Sequence, residues 1–321
     1  MKYCIAPMEG ITYPEYRAVH SSLFPGAEAY YAPFVAPGSG GFKRGYLEKR
    51  LPDLTSGVNI IPQIMANDPE KFLEAATILR DMGSREINLN AGCPSGTVFS
   101  KHKGSGMLTD LSSLDSFLSA VYSSADYPVS IKTRMGVSST EEFEKILPIY
   151  EKYPVACLTV HARARNGFYK SPADTEAFSK LCAAAKLKLC YNGDIFSPKD
   201  YDALQKLSPV TECVMLARGI IANPALGRML KGGPPLNITE LEDFHNLLLE
   251  SYLSSDLGEK TACERMKELW FYMISLFPNC EKEYKAILKS RSIADYREAV
   301  GRFINSGSFD GTASFKGTCR E

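Results

Sequence analysis

The sequence holds one tryptophan and four histidines in 321 residues, and no C-x-x-C pair. Without that pair neither a zinc ribbon nor a thioredoxin-type redox site is supported. H-E-x-x-H, the P-loop pattern and G-x-G-x-x-G are missing as well. Their absence removes the sequence marks of zincin proteases, Walker-type nucleotide hydrolases and an opening Rossmann unit. No apolar run approaches the roughly 20 residues of a membrane-spanning helix, so no membrane partner is expected. Met1 to Arg17 carries Glu9, Tyr13, Pro14 and Glu15 where a signal peptide has its apolar core, and export is not expected. Net charge is lacking too: 37 Lys and Arg face 37 Asp and Glu. That balance excludes a generally basic, polyanion-coating protein and an acidic disordered tail. It leaves room for a local basic surface, because net charge does not say where charges sit.

What is present is ordinary globular composition, 45% hydrophobic and 23% charged. The length suits one large domain and a small one, since single cores rarely grow beyond roughly 250–300 residues. The nine cysteines are an odd, scattered set. Cys157, Cys190 and Cys213 sit in apolar runs, where a thiol is a small core residue. A reduced, cytoplasmic protein without a metal site is the expectation.

Eight short apolar runs alternate with helical patterns: Tyr3–Ala6, Ala29–Ala32, Asn59–Met65, Glu86–Asn90, Val129–Thr133, Ala156–Val160, Leu187–Tyr191 and Cys213–Leu216. Asp68-Pro69-Glu70 is an N-cap, a proline in the first turn and an acidic residue, opening a helix to about Met82 with Gly83 as its stop. Ser139 with Glu142 forms a capping-box pattern. Strand and helix alternating eight times predict a (β/α)8 TIM barrel over residues 1–235. The competitor, a doubly wound open sheet, brings a glycine-rich fingerprint after its first strand, and here Pro7-Met8-Glu9-Gly10 stands there. Lys231-Gly232-Gly233-Pro234-Pro235 marks a break. Beyond it Thr239 with Glu242 is read as another capping box, and residues 236–305 as a small C-terminal domain of four helices. Residues 306–321, rich in Gly, Ser and Thr, are read as a flexible tail.

A barrel of this kind keeps its active site at the C-terminal ends of its strands. The polar residues there are Pro7, Met8 and Glu9; Gln63; Asn88, Asn90 and Cys93; Lys132 and Arg134; His161 and Arg163; Asn192, Gly193 and Asp194; and Ala217, Arg218 and Gly219. Cys93 lies on a turn between Gly92 and Pro94, so an accessible thiol is expected, as nucleophile or as general acid. His161 is its candidate base should it act as a nucleophile. Lys132 in a barrel mouth would be a Schiff-base amine, a fixed positive charge or a snorkelling lysine. The loops at Asn192–Asp194 and Ala217–Gly219 occupy the usual phosphate cradle of the fold.

Taken in order, these segments resemble the tRNA-dihydrouridine synthase family. The carriers are Ala6-Pro7-Met8-Glu9-Gly10, Pro62-Gln63-Ile64-Met65, Glu86-Ile87-Asn88-Leu89-Asn90-Ala91-Gly92-Cys93-Pro94, Ile131-Lys132-Thr133-Arg134-Met135-Gly136, Val160-His161-Ala162-Arg163-Ala164-Arg165, Asn192-Gly193-Asp194 and Ala217-Arg218-Gly219. The resemblance implies an FMN enzyme that reduces the 5,6 double bond of uridine in tRNA, with NADPH as the reductant. It implies Cys93 as the proton donor to C5. It implies FMN contacts from Pro7, Met8, Glu9, Gln63, Lys132, His161, Asn192, Gly193, Asp194, Ala217 and Arg218. RNA contacts are expected from Asn90, Lys101, Lys103, Arg134, Arg163 and Arg165, with Lys170 and the basic residues Lys285, Lys289, Arg291, Arg297 and Arg302 of the helical domain as further candidates. Two positions depart from the family pattern: Gly96-Thr97 stands where a lysine is usual, and Ala164 replaces a threonine. A monomer is expected. The alternatives are an FMN barrel acting on a free pyrimidine, as dihydroorotate dehydrogenases do, and a barrel that binds RNA without turning it over. An electroneutral chain that reads folded RNA needs a positive rim at one mouth, so its RNA affinity should depend steeply on salt.

Overall fold

The computed structural model describes residues 1–38, 41–168, 171–306 and 308–315. Its strands are β1 (Lys2–Ile5), β2 (Ala29–Tyr31), β3 (Ile60–Ile61), β4 (Gln63–Ile64), β5 (Ile87–Ala91), β6 (Val129–Gly136), β7 (Leu158–Ala164), β8 (Leu189–Asn192) and β9 (Cys213–Leu216). They form one sheet in the order β3-β2-β1-β9-β8-β7-β6-β5-β4, and every pairing is parallel. The end strands β3 and β4 are two halves of one segment. Pro62 between them has no N–H to donate, so the ladder is interrupted there. The Ile61 carbonyl accepts from Ala32 N (2.9 Å) on one side, and the Pro62 carbonyl accepts from Asn88 N (3.0 Å) on the other. The sheet therefore closes through residues 60–64 into an eight-stranded barrel. The expected strand Asn59–Met65 is present, but split.

The helices are α1 (Pro14–Leu23), α2 (Arg44–Arg50), α3 (Pro69–Asp81), α4 (Gly96–Phe99), α5 (Leu111–Ser124), α6 (Phe143–Tyr150), α7 (Thr175–Ala184), α8 (Pro198–Leu207), α9 (Arg218–Ala222), α10 (Leu226–Leu230), α11 (Ile238–Leu253), α12 (Glu259–Met273), α13 (Glu281–Lys289) and α14 (Ile293–Ser306). Asp68 caps α3 by accepting from Glu70 N and Lys71 N, and Gly83 follows that helix at φ +105°. The Ser139–Glu142 capping box is formed. The second box is two residues earlier than the sequence suggested: Asn237 and Glu240 make it, and α11 begins at Ile238. Asn237 is itself a strong N-cap residue, and Thr239 lies within the first turn.

The chain divides into two compact units. The first comprises Met1–Pro7, Glu28–Asp194 and Asp202–Leu216, and contains every strand. The second comprises Met8–Ala27, Ile195–Tyr201 and the chain from Ala217. This division differs from a simple break after residue 235, because α1, α9 and α10 group with the later helices. In the first unit, odd-numbered residues of β6 and β8 face the helices: Tyr150 of α6 donates to Thr133 Oγ1 (3.1 Å), and Phe178 of α7 packs edge-on against Tyr191. The period of two and the strand register then turn the even-numbered residues of β5, β6 and β8, and the odd-numbered residues of β7, toward the barrel interior.

In the second unit, Tyr16 and His20 of α1 and Phe24 at its C-cap surround Phe244 of α11. Trp270 of α12 packs on Phe277 and Phe303. Residues 308–315 do not behave as the expected loose tail. Asp310 N donates to the Leu276 carbonyl (2.8 Å), Gly311 O accepts from Asn223 Nδ2 (2.8 Å), and Phe315 is buried against Phe196, Phe271 and Tyr272. Two aromatic side chains, Phe309 and Phe315, anchor a segment whose small residues alone suggested looseness.

Candidate active site

The interior of the barrel is polar where β4–β8 meet. Asn88 Nδ2 donates to Ser130 Oγ (2.9 Å), Gln63 Nε2 to Asn88 Oδ1 (2.7 Å), and Asn90 Nδ2 to Gln63 Oε1 (2.7 Å). The relay ends on the cysteine turn, where Asn90 Oδ1 accepts from Gly92 N (3.1 Å) and Cys93 N (2.9 Å). The Cys93 carbonyl is held from the other side by Ser105, through its N–H (3.1 Å) and its hydroxyl (2.7 Å). Gly104, at φ +55°, sits so close that a Cβ there would lie 2.8 Å from Cys93 Cβ. Both backbone groups of Cys93 are thus satisfied and its turn is clamped, while the thiol is in no disulfide and only half-buried.

This clamp changes the reading of two expected contacts. Gln63 is 1% exposed and Asn90 8%, and their amides are engaged with each other. They position Cys93 from beneath. Ser130 and Ser105 had not been singled out in the sequence. The Gly104-Ser105-Gly106 tripeptide is the signal that could have found Ser105, since paired glycines mark close backbone approach.

Lys132 and His161 face the same interior by strand register: Asn90 pairs with Lys132, Lys132 with Thr159, and His161 with Arg134 and Asn192. Lys132 Nζ has no hydrogen bond or ion-pair partner among the described residues. Desolvation, with the Arg134 charge adding to it, pushes its pKa down to about 7, against the weaker opposing influence of Cys190 and Cys93. By surface area the residue is only half-buried, so the low dielectric acts on part of the side chain. A lysine kept unpaired inside a barrel is destabilising for the ligand-free protein. Lys132→Met should therefore raise the Tm of flavin-free protein at pH 7, by about 2–4 °C for one kcal/mol in a chain of this size. The folded pKa lies below the unfolded one, so wild-type stability climbs as pH rises from 7 toward 10.5. The advantage of the variant should shrink across the same window. Thermal unfolding at pH 6.5, 8 and 10 reads this, and a wild type more stable than the variant at pH 7 would contradict it.

His161 Nε2 lies 3.0 Å from Arg163 Nη1. A guanidinium only donates, so Nε2 accepts and the imidazole proton sits on Nδ1. Arg163 also donates to the Ser171 carbonyl (2.8 Å) and pairs with Asp194, whose Oδ2 accepts from Ala173 N (3.2 Å). Arg163 is 3% exposed and Arg134 1%; Arg134 donates to the Gly92 carbonyl (2.8 Å) and reaches that of Ala164 (3.4 Å). Neither has the surface to meet RNA, which corrects their expected role. Both lie inside strands that run further than their apolar cores suggested: β6 to Gly136 and β7 to Ala164.

Asn192 Nδ2 donates to the Met215 carbonyl (2.9 Å). Gly193 is explained by packing, since a Cβ would lie 2.2 Å from Tyr191 Oη. Lys101 is exposed and Lys103 half-buried; burial, then the charges of Lys71 and Lys101, push the Lys103 pKa down. Three ammonium groups with Asp68 as their near counter-charge leave this loop net positive.

Within the second unit, Glu9 accepts from Tyr13 Oη (2.6 Å), and Met8 N donates to Thr12 Oγ1 (2.8 Å). Ala217 precedes α9, and Arg218 stands 5.2 Å from the Phe196 ring and 5.8 Å from that of Phe315. Arg297 pairs with Glu250 and Arg302 with Glu298, as solvated helix faces do. Lys170 lies outside the described residues. Among the described residues there is no cluster able to hold a metal, and no helix is long and apolar enough to cross a membrane.

The sequence model of the dihydrouridine synthase family matches residues 4–289. The chain belongs to the dihydrouridine synthase family. It is accordingly an oxidoreductase, and the free-pyrimidine and non-catalytic readings fall away. Among curated relatives, the tRNA-dihydrouridine synthase B of Vibrio cholerae is 28% identical, over 80% of this chain and 83% of its own. The tRNA-dihydrouridine(16) synthase of Pseudomonas putida is 27% identical, over 86% and 88%. Among solved structures, the old yellow enzyme homologue from Zymomonas mobilis superimposes with a TM-score of 0.53 at 12% identity, over 76% of this chain and 92% of that one. Morphinone reductase in complex with tetrahydroNAD gives 0.50 at 11%, over 76% and 90%. At such identities these two show the barrel fold alone.

Proposed function

We propose that this family member is a monomeric, cytoplasmic tRNA-dihydrouridine synthase that takes FMN as cofactor and NADPH as reductant, with Cys93 as proton donor. The observation that carries the reading is the clamped Cys93 turn, whose half-buried thiol, held in no disulfide, stands beside an interior of unpaired Lys132 and neutral His161. The fit to a flavin rests on that chemistry. An isoalloxazine edge is rich in carbonyl oxygens and ring nitrogens; Lys132 Nζ and His161 Nδ1–H are donors suited to it. Bound FMN would supply the hydride for C6 of uracil, after reduction by NADPH.

The chain's own residues do the rest. Cys93 Sγ–H donates a proton to C5 as general acid. Asn90 and Ser105 fix its backbone so that the thiol keeps its place as the base enters. Asn88, Gln63 and Ser130 keep Asn90 aligned. Lys132 and His161 hold the cofactor edge, and by resemblance Pro7, Gly193 and Asp194 of the same unit are further cofactor contacts. Asn192 and Arg163 support the barrel end. The target uridine leaves its stack to reach the thiol, and Lys101, Lys103 and Arg165 take the RNA backbone. The test is purified protein with NADPH, FMN and tRNA from a strain lacking dihydrouridine. Nucleoside mass spectrometry should show uridine gaining two hydrogens, and unchanged uridine at full flavin loading would refute the assignment.

A further inference from the structure

The rim of the first unit carries a feature that the cysteine chemistry does not use. Arg165 follows β7 on the short turn Arg165–Gly167. Its guanidinium carbon stands 3.8 Å from the centre of the Phe99 ring, at the end of α4, and 5.6 Å from that of Phe168. Phe168 is an aromatic residue 36% exposed and held at φ +44°, ψ −114°. That backbone region is forbidding to a bulky side chain, and strain of this kind gathers where a ligand is gripped. Arg165 Nη1 bonds only to Asn166 Oδ1 (3.2 Å), and Nε is shut off from solvent with no partner among the described residues. A buried, unpaired guanidinium nitrogen calls for an acceptor the protein does not supply. Next to this stack opens a cavity of about 710 Å³, lined by Ala164, Gly167, Ser138, Thr140, Ser171 and Thr175 among others. Its size suits a small organic group such as a nucleotide, and its lining is rich in hydroxyls.

We infer that Phe99, Arg165 and Phe168 form a stacking platform for one unstacked nucleotide of the RNA, a neighbour of the reduced uridine. The inference rests on the proposed tRNA substrate and goes beyond it by naming where a second base is held. Aromatic rings and guanidinium planes are what single-stranded RNA stacks on, and the stack tolerates any base. The Phe168 ring supplies an exposed face. Arg165, over the Phe99 ring, would offer its guanidinium to a phosphate or a base carbonyl. Phe99 belongs to the loop that begins at Cys93, so the platform is tied by α4 to the chain that carries the proton donor. Shielding by burial makes its phosphate contact less dependent on salt than those of exposed Lys101 and Lys103.

The test compares Phe168→Gly and Arg165→Lys with wild type, each as FMN-loaded full chain. Glycine accepts φ +44° without strain, so Phe168→Gly should unfold at or above the wild-type temperature. Its affinity for unmodified tRNA should nevertheless fall roughly 5- to 150-fold, the range seen when one base–aromatic stack is removed. Arg165→Lys keeps the charge and loses the plane, and should weaken binding in the same direction. KM for tRNA should rise in both, and in Phe168→Gly kcat at saturation should stay within about twofold, a split that general destabilisation would not produce. A 2-aminopurine-labelled oligouridylate should be quenched by wild type and far less by Phe168→Gly. Wild-type affinity and quenching in Phe168→Gly would overturn the platform. Dihydrouridine formation by wild type is read separately, so loss of the tRNA assignment would show there and not in the variants.

Discussion

Cys93→Ala should keep its fold, its flavin and its RNA and lose about two to four orders of magnitude in single-turnover reduction of uridine, the range for removing a positioned general acid. The retained binding follows from how the residue is held. Its N–H goes to Asn90 and its C=O to Ser105, and neither bond needs the side chain. The tight spot behind it is the Gly104–Cys93 contact, which truncation to alanine leaves in place at Cβ. Reduction of the flavin by NADPH should proceed at the wild-type rate, because the missing proton enters only when the base is present. Rapid mixing of pre-reduced enzyme with tRNA, with flavin reoxidation as the signal, isolates the step. A variant within threefold of wild type in that experiment would remove Cys93 from the reaction.

The order of the strands and the place of Cys93 could be read from the sequence because both are local signals. Apolar runs flanked by capped helices give the alternation, and a cysteine between Gly92 and Pro94 has little choice but a turn. The way the barrel uses its polar residues was less legible. Arg134 and Arg163 stand after apolar cores and look like rim residues, yet parallel pairing carries β6 and β7 past them and buries both. The amide relay from Ser130 to Cys93 spans three strands, with partners 25 and 42 residues apart. No window along the chain holds such a pattern. Alternation does hint at it: Asn88 and Asn90, then Ser130, Lys132 and Arg134, then Thr159, His161 and Arg163 are polar at every second position. Strands covered on both faces by apolar side chains would not show that period. A Cβ at Gly193 would meet the Tyr191 hydroxyl, a packing reason for glycine that the local sequence does not announce.

The second unit should be the acid-labile part of the chain, and its only tryptophan reports on it. His20 and His245 are both buried, at 0% and 2% exposure, and desolvation pushes each pKa down to about 4. His20 Nε2 donates to the Pro224 carbonyl (3.1 Å), which opposes the shift without cancelling it. His245 Nε2 accepts from Tyr296 Oη (2.8 Å), which in turn takes the Trp270 indole N–H (2.9 Å), and Nδ1–H faces Asn246 Oδ1 (3.0 Å). Arg297 adds a like charge against protonation of His245. In both cases the folded pKa lies below the unfolded value of 6.5, so the unfolded chain binds more protons between the two. Stability is then whole above pH 6.5 and falls as pH drops toward 4, by about 3 kcal/mol per histidine. Two such groups amount to much of the stability of an ordinary domain. Urea unfolding followed by Trp270 fluorescence should show the midpoint collapsing between pH 6.5 and 4. His245→Gln keeps an acceptor for Tyr296 and cannot be protonated, so it should remove about half of that collapse while lowering stability at pH 7. An unchanged acid limb in His245→Gln would mean that the histidine is already charged in the folded protein, contrary to its burial among Trp270, Tyr296 and Asn246.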